Sequence, residues 1–522
     1  MSKWLSANVY FATVVALGGF IFGFDASVIS GVVGFVTTEF ALNEWQQGFV
    51  VSSPTLGAVL GSFFAGPCAD RFGRKRVIIT IAFLYVVSAF FSAFAPNYET
   101  LVAARFIGGI AFASLVLAPM YIAEISPAKL RGKMISINQF NIVVGFSAAY
   151  FANYFLLKLS GGAGGLAESL GITENVWRWM LGIEIIPALA YLLLLFTIPE
   201  SPRWLVVNGQ KESAKRVVAK LFPNESNDKL IEDIEKTAND SLPPLWQRLK
   251  ALFSGKMRYV LAVGIVVGIC QQITGVNAVY FYAPSIFEQS GVGQDAAFSQ
   301  AIWVGVINVV FTIVAMLLID KLGRKPLMLI GLAGVVVSMS VAAIGFHQAT
   351  YKLTNESVLL IESKDIQQKV IPLINQQFSD DLAFKAALKE VLGEQLARDH
   401  QSSLIQAAAN INATLILVGI LGFVASFAIS LGPVMWVLLA EIFPNHLRGI
   451  GIAFTGLINS AVSFTVQLVF PWELANLGTA MTFLIYGVFA FIGFVLVYRM
   501  LPETKGKSLE QIEQVFHHAR AA

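Results

Sequence analysis

Charged residues are scarce in this chain. They make up 13% of its 522 residues, against about 25% in ordinary soluble domains. With 56% hydrophobic residues and a mean hydropathy of +0.68, a soluble globular surface is excluded and a polytopic membrane protein is indicated. The formal net charge is only +3, too small and too dispersed for a nucleic-acid footprint. Cysteine is nearly absent: Cys68 and Cys270 both fall in apolar stretches, which excludes a disulfide framework. All five histidines, His347, His400, His446, His517 and His518, lie in loops or tails. The apolar stretches therefore hold no nucleophile–base pair and no metal-ligand spacing, so neither an enzyme nor a metal site is expected. The first apolar run is too long for a signal-peptide core and has no small-residue cleavage site behind it, so it reads as a mature helix.

What is abundant is apolar runs of about 20 residues, each able to satisfy its backbone hydrogen bonds in lipid only as a helix. Twelve are expected, near 9–34, 47–68, 77–95, 100–123, 134–157, 177–198, 259–289, 298–319, 326–346, 411–440, 449–470 and 478–500. The loops after the second, fourth, eighth and tenth hold Arg71, Arg74, Lys75, Arg76, Lys129, Arg131, Lys133, Lys321, Arg324, Lys325 and Arg448, while the alternate short loops hold little beyond Lys158 and Arg178. That asymmetry predicts that both termini and the 199–258 segment are cytoplasmic. In that segment Ser201 and Pro202 read as an N-cap followed by a first-turn proline, so short helices are expected. The segment 347–410 falls outside, and its stretches IESKDIQQKVIPLINQQF and LAFKAALKEVLGEQLARD have helical periodicity, predicting a small helical cap.

The chain repeats itself. ADRFGRK at 69–75 returns as IDKLGRK at 319–325, AEISPAKLRG at 123–132 as AEIFPNHLRG at 440–449, and PESPRW at 199 as PETKGK at 502. The second separation exceeds the first by about the length of the 347–410 insertion. The predicted organisation is an N-terminal six-helix bundle (1–198), a cytoplasmic linker with short helices (199–258), a C-terminal six-helix bundle (259–500) interrupted by the extracytoplasmic insertion, and a cytoplasmic tail (501–522). Parallel halves of this kind place a substrate site near the midplane between them.

GPCADRFGRKR, RFIGG, PESPRWL, QQITGVN, GPVMWVL, EIFPNHLRG and PETKGK, in that order, resemble the motif set of the sugar porter family of the major facilitator superfamily, and most of all its bacterial sugar–proton symporters. The resemblance covers nearly the whole chain apart from 347–410. It implies an all-α membrane protein with twelve transmembrane helices in two pseudo-symmetric bundles. It also implies uptake of a neutral monosaccharide, hexose or pentose, by proton symport through alternating access. A facilitative uniporter or a carrier of polyols or cyclitols uses the same scaffold, and a non-transporting sugar sensor is a third reading. The expected setting is the bacterial inner membrane, as a monomer, with lipid, sugar and protons as partners, no nucleic acid, and no cofactor besides the coupling proton.

Neutral amides at membrane depth form the next pattern: Gln139, Gln271, Gln272, Asn277, Asn308 and Asn459. Each offers donors and an acceptor, which suits sugar hydroxyls, although a lone amide serves equally as helix–helix glue. The family resemblance assigns Gln139, Gln271, Gln272 and Asn277 to the sugar's hydroxyls and Trp436 to its apolar face. Thr274 and Gly275 are expected to interrupt their helix. Phe281 stands where the family usually has Tyr, and Ser460 where many members have Trp, so the resemblance leaves the solute's identity open. At the cytoplasmic ends, Asp70, Arg74, Glu124 and Arg131 recur as Asp320, Arg324, Glu441 and Arg448, and Arg71 stands where the second copy has Lys321. By resemblance these form inter-helix salt bridges that latch the cytoplasmic side.

Asp25 is the one charged residue between Val9 and Gly34. Burying an ionised Asp mid-helix costs about 2.5–3.5 kcal/mol on insertion scales, so it should be paired, protonated or hydrated. Arg105, about one helical turn away in depth, offers the pair. A buried ion pair seldom stabilises more than an apolar replacement, so a titratable switch is the reading set against a structural bridge. Symporters of the resembling family carry Asp here, whereas facilitators carry Asn. Glu184 is a second buried acid, either structural or a further proton-handling group.

Overall fold

In a computed structural model, the described residues are 4–505 apart from 128–129, 163–164, 223–227, 229, 233, 236–243, 256, 360, 362 and 445–446. Lys129, His446, part of the 199–258 segment and the tail beyond 505 lie outside them.

Twelve helices among the described residues are long and apolar enough to cross a membrane. Span 1 is Ala7–Glu39, span 2 Glu44–Phe72, span 3 Arg74–Ala93, span 4 Tyr98–Ile125, span 5 Arg131–Ser160 and span 6 Val176–Leu195. After the linker come span 7, Arg258–Phe281, span 8, Gln294–Leu322, span 9, Arg324–His347, span 10, Ala413–Ile442, span 11, Arg448–Asn476, and span 12, Thr479–Met500. The twelve expected runs match them one for one. Spans 4, 6, 7 and 10 are not continuous. Span 10, for instance, stops at Ile429 and restarts at Leu431 around Ser430, whose φ of −129° and ψ of −93° are not helical.

Two compact units emerge. Unit 1 comprises 1–28, 53–152 and 174–244; unit 2 comprises 29–52, 153–173 and 245–522. In unit 1, spans 1 and 5 approach closely because glycine faces backbone at the crossing. A Cβ on Gly23 would lie 2.1 Å from the Ile142 carbonyl oxygen, and one on Gly145 would lie 2.1 Å from that of Phe20. Such small-residue contacts replace the hydrophobic drive that lipid cannot supply between helices. The linker begins as expected: Ser201 caps the helix Pro202–Val207 by accepting from the Trp204 N–H at 3.3 Å.

The insertion in unit 2 is a small folded body, and here the expectation of a purely helical cap needs correcting. It contains helices Asp381–Leu392, Glu394–Asp399 and Gln401–Ala408. It also contains an antiparallel three-stranded sheet with Thr350–Lys352 between Gln377–Phe378 and Ala409–Asn410. Strands of two or three residues are too short to show a period-two pattern. Tyr351, Leu353, Phe384, Leu388, Leu404 and Ile405 form its own core, with the rings of Tyr351 and Phe384 stacked at 5.4 Å.

Candidate functional site

Unit 1 brings Asp25 and Arg105 together. Asp25 is 1% exposed and Arg105 2%. Nη1 of Arg105 pairs with Oδ1 of Asp25, and its Nη2 donates to the Asp25 backbone carbonyl at 3.1 Å. Two polar atoms of the pair, Asp25 Oδ2 and Arg105 Nε, have no hydrogen-bond partner among the described residues. Nearby, Gly108 keeps space open: a Cβ there would come within 2.9 Å of Asp25 Oδ2. The adjacent Ser88 hydroxyl donates to the Ala104 carbonyl at 2.9 Å. Among the described residues nothing takes the lone pairs of Oδ2, the carboxylate oxygen that can accept a proton. Glu184 sits at the joint between the helices Val176–Gly182 and Ile185–Leu195. It is 2% exposed, and its Oε1 likewise lacks a partner among the described residues.

Span 5 of the same unit carries Gln139, half-buried. Its neighbours Asn138 and Asn141, which the sequence reading passed over, each hold a buried amide atom without a partner among the described residues, Oδ1 and Nδ2 respectively. The signal was present in the run NQFN, but three polar residues within four positions do not tell which of them face inward.

Unit 2 holds a connected amide network. The first piece of span 7 ends at Ile273, Gly275 adopts a left-handed φ of 85°, and a new helix starts at Val276. This is the break expected at Thr274 and Gly275. Around it, Gln272 Nε2 donates to Gln271 Oε1 and to Asn459 Oδ1, both at 3.3 Å. Asn459 Nδ2 donates to Gln271 Oε1 at 2.8 Å and to the Gly268 carbonyl at 2.9 Å. Asn277 Nδ2 donates to Gln272 Oε1 at 2.9 Å and to Ser463 Oγ at 2.6 Å, and Gln467 Nε2 reaches the same Ser463 oxygen at 2.8 Å. Gln271, Gln272, Asn277 and Asn459 are thus assembled as the sequence suggested, and Ser463 and Gln467 extend the chain. Those two were missed, although their spacing of four from each other and from Asn459 places all three on one helical face. Asn308 is buried on span 8. Trp436 presents its ring 46% exposed beside Gly456. Interlinked donors and acceptors of this sort can exchange their mutual bonds for the hydroxyls of a polyhydroxylated solute.

The charged motifs at the span ends fold as two copies of one arrangement. In unit 1, Arg74 contacts Glu124 at 3.2 Å and Asp70 at 2.9 Å, and the Ser201 hydroxyl bonds Glu124. In unit 2, Arg324 contacts Glu441 at 2.7 Å and Asp320 at 3.2 Å, and Thr504 donates to Glu441 at 2.7 Å. Two further acids complete the copies. Glu200 accepts the Lys75 N–H at 3.1 Å and Glu503 accepts the Arg324 N–H at 3.1 Å. Both carboxylates meet a helix N-terminus, where negative charge is stabilised. They are the acids of the PES and PET motifs, and their backbone partners leave no sequence signature. Arg71 lies over the Phe72 ring at 5.4 Å. Arg131 is exposed, and Nε and Nη2 of Arg448 are buried without a partner among the described residues, so neither arginine joins the ion pairs described.

The chain as a whole is similar to known proteins. It matches the family described as "Sugar (and other) transporter" over residues 11–362 and 397–516. The D-xylose-proton symporter of Escherichia coli (strain K12) is 33% identical over 549 residues, spanning 99% of this chain and 97% of that protein. The arabinose-proton symporter of Bacillus subtilis (strain 168) is 31% identical over 511 residues, spanning 97% of this chain and 95% of that protein. Among solved structures, the inward-open conformation of the E. coli xylose transporter XylE aligns with a TM-score of 0.73 at 30% identity, covering 97% of this chain and 99% of that one.

Proposed function

Since this chain belongs to the sugar transporter family of the major facilitator superfamily, we propose that it imports a neutral monosaccharide, hexose or pentose, together with a proton. The observation that carries the reading is the buried pair of Asp25 and Arg105 with one carboxylate oxygen unpartnered. Ionised, Asp25 holds Arg105 and ties span 1 to span 4. Protonated at Oδ2, it loses its charge, weakens that tie and changes the relative energy of two helix arrangements. Glu184, buried in the same unit, is a second station for the proton. One elementary charge moved through 100 mV supplies about 2.3 kcal/mol, enough to concentrate a solute on the order of fiftyfold at about 1.4 kcal/mol per decade.

The amides Gln271, Gln272, Asn277 and Asn459 take the sugar's hydroxyls, Trp436 covers its apolar face, Asn308 contributes from span 8, and Gln139 is assigned to a sugar hydroxyl by the family resemblance alone. A neutral ligand suits a network with no cation in it, since an anion would call for paired charges. The paired cytoplasmic clusters of Asp70, Arg74 and Glu124 and of Asp320, Arg324 and Glu441, with Arg71, Arg131 and Arg448, govern the closing of the inner side. We place the protein in a bacterial inner membrane with both termini cytoplasmic, as the Lys/Arg asymmetry supports, acting as a monomer without a cofactor.

The test is reconstitution in liposomes with a pH indicator and a panel of labelled hexoses, pentoses and polyols. Adding the transported sugar should alkalinise the side from which it is taken up, and an imposed gradient, acid on that side, should drive accumulation. Sugar flux without proton movement would make it a facilitator instead, and flux of polyols alone would move the substrate class.

A further inference from the structure

The insertion at 347–410 has no part in the reading above, and the family match omits 363–396 altogether. Its placement within unit 2 is nevertheless specific. On one side it is clamped to the start of span 12. Asp381 accepts the Thr479 N–H at 3.2 Å and its hydroxyl at 3.0 Å, while Lys385 pairs with the same carboxylate at 2.8 Å. It also lies against the loop between spans 7 and 8, where a Cβ on Gly293 would meet the Gln406 amide at 2.9 Å. With its own core and this footing, the insertion is a rigid arm.

At the arm's other side Arg398 reaches the turn joining spans 1 and 2. Its Nη1 donates to the Leu42 carbonyl at 3.0 Å, and its Nη2 contacts Glu44 Oε1 at 2.8 Å, with Glu394 one helical turn away steadying the guanidinium at 2.8 Å. Both partners are largely covered, at 21% and 23% side-chain exposure. The Lys158–Asp295 pair, also in unit 2, joins spans 5 and 8 at 53% and 58% exposure. Exposed single-point pairs contribute little, whereas a forked guanidinium gripping a carboxylate and a carbonyl is the stronger and more directional contact.

We propose that the insertion is a latch on the outer side of the transporter, with Arg398 as the positioning residue that holds the turn of spans 1 and 2 closed and releases it when that side opens. The proposal rests on the alternating-access reading above, because a contact made in only one of two states shifts their populations by its own free energy.

The test uses the full chain with Cys68 and Cys270 replaced by Ser, carrying Glu44→Cys and Arg398→Cys, and joined by a short bis-methanethiosulfonate linker that reductant removes. Linked protein should take up no sugar, and reductant should restore uptake; unchanged uptake while linked would overturn the latch. The reduced protein's uptake separately reports whether the transport reading stands. If the double variant is inactive even before linking, hydrogen exchange on the full-length Arg398→Ala protein decides. Amides of residues 42–51 should exchange about two- to fivefold faster than in the unaltered protein, the range of a partly exposed ion pair. No change there also overturns the proposal.

Discussion

The two units bury different chemistry in their spans. Unit 1 buries the charged groups Asp25, Arg105 and Glu184 beside the amides Asn8 and Asn138, whereas the spans of unit 2 bury the amides Gln271, Asn308, Asn459 and Gln467 and, among the described residues, no charged side chain. At the span ends that carry the repeated charged motifs the same units are near replicas, with Arg74 and Glu124 in one answering to Arg324 and Glu441 in the other. The repeated motifs thus coincide with a repeated arrangement at the span ends, while the buried interiors differ. On the proposed reading, a carboxylate that gains and loses a proton and an amide network that exchanges hydroxyl partners impose opposite demands. The first needs a desolvated site with few competing donors, the second a dense set of neutral donors and acceptors. Separate units let each be met.

The division is broken most sharply by neutralising the charged side. Asp25→Asn should reduce gradient-driven accumulation from on the order of fiftyfold at 100 mV to none while leaving counterflow exchange, measured with labelled sugar in vesicles. Accumulation that survives would show that the proton is handled elsewhere. Altering the amide side should act on affinity instead: Gln272→Ala removes a group bonded to Gln271, Asn459 and Asn277, and the half-saturating sugar concentration should rise about tenfold, the worth of one hydrogen bond near 1.4 kcal/mol. The number of protons moved per sugar should not change.

The replicated ends make a finer test. Glu124→Gln and Glu441→Gln each leave an arginine with a weaker partner, and each should change transport rate by about two- to fivefold, as for a partly exposed pair. If only one of the two matters, the copies have diverged in use as well as in sequence. The smallest effect concerns the insertion. Burial raises the Asp381 carboxyl, but the Lys385 charge and the bonds from Lys385 and Thr479 outweigh it, so its pKa lies below the ordinary 3.8. A depressed carboxyl contributes its full stability above 3.8 and loses it only as pH falls through the lower folded value. Hydrogen exchange of residues 381–392 should therefore be unchanged, after correction for intrinsic rate, between pH 7.5 and pH 5.

Much of this was legible in the sequence because lipid enforces simple rules. A run of apolar residues must be a helix, so all twelve spans could be read from composition. Asp25 and Arg105 stood out because each is alone in an apolar stretch and their depths agree. The break after Thr274 was readable from a Gly beside polar residues. What escaped depended on backbone partners or on very short elements. Glu200 and Glu503 bind N–H groups that any residue supplies, and the insertion's sheet is built from strands of two or three residues. Arg398 looked like one charge among many on a polar helix, since its partner Glu44 lies far away in the chain.

Gly275 carries a last implication. Its left-handed φ of 85° disfavours a side chain, and a Cβ would in any case lie 2.6 Å from the Tyr486 ring. The hinge it makes divides the amide set, with Gln271 and Gln272 on one stiff rod and Asn277 on the next. On the proposed reading, a solute gripping all three would act as a splint across that joint. Occupancy is then felt as rigidity, and an empty carrier and a loaded one differ first in how freely span 7 can bend.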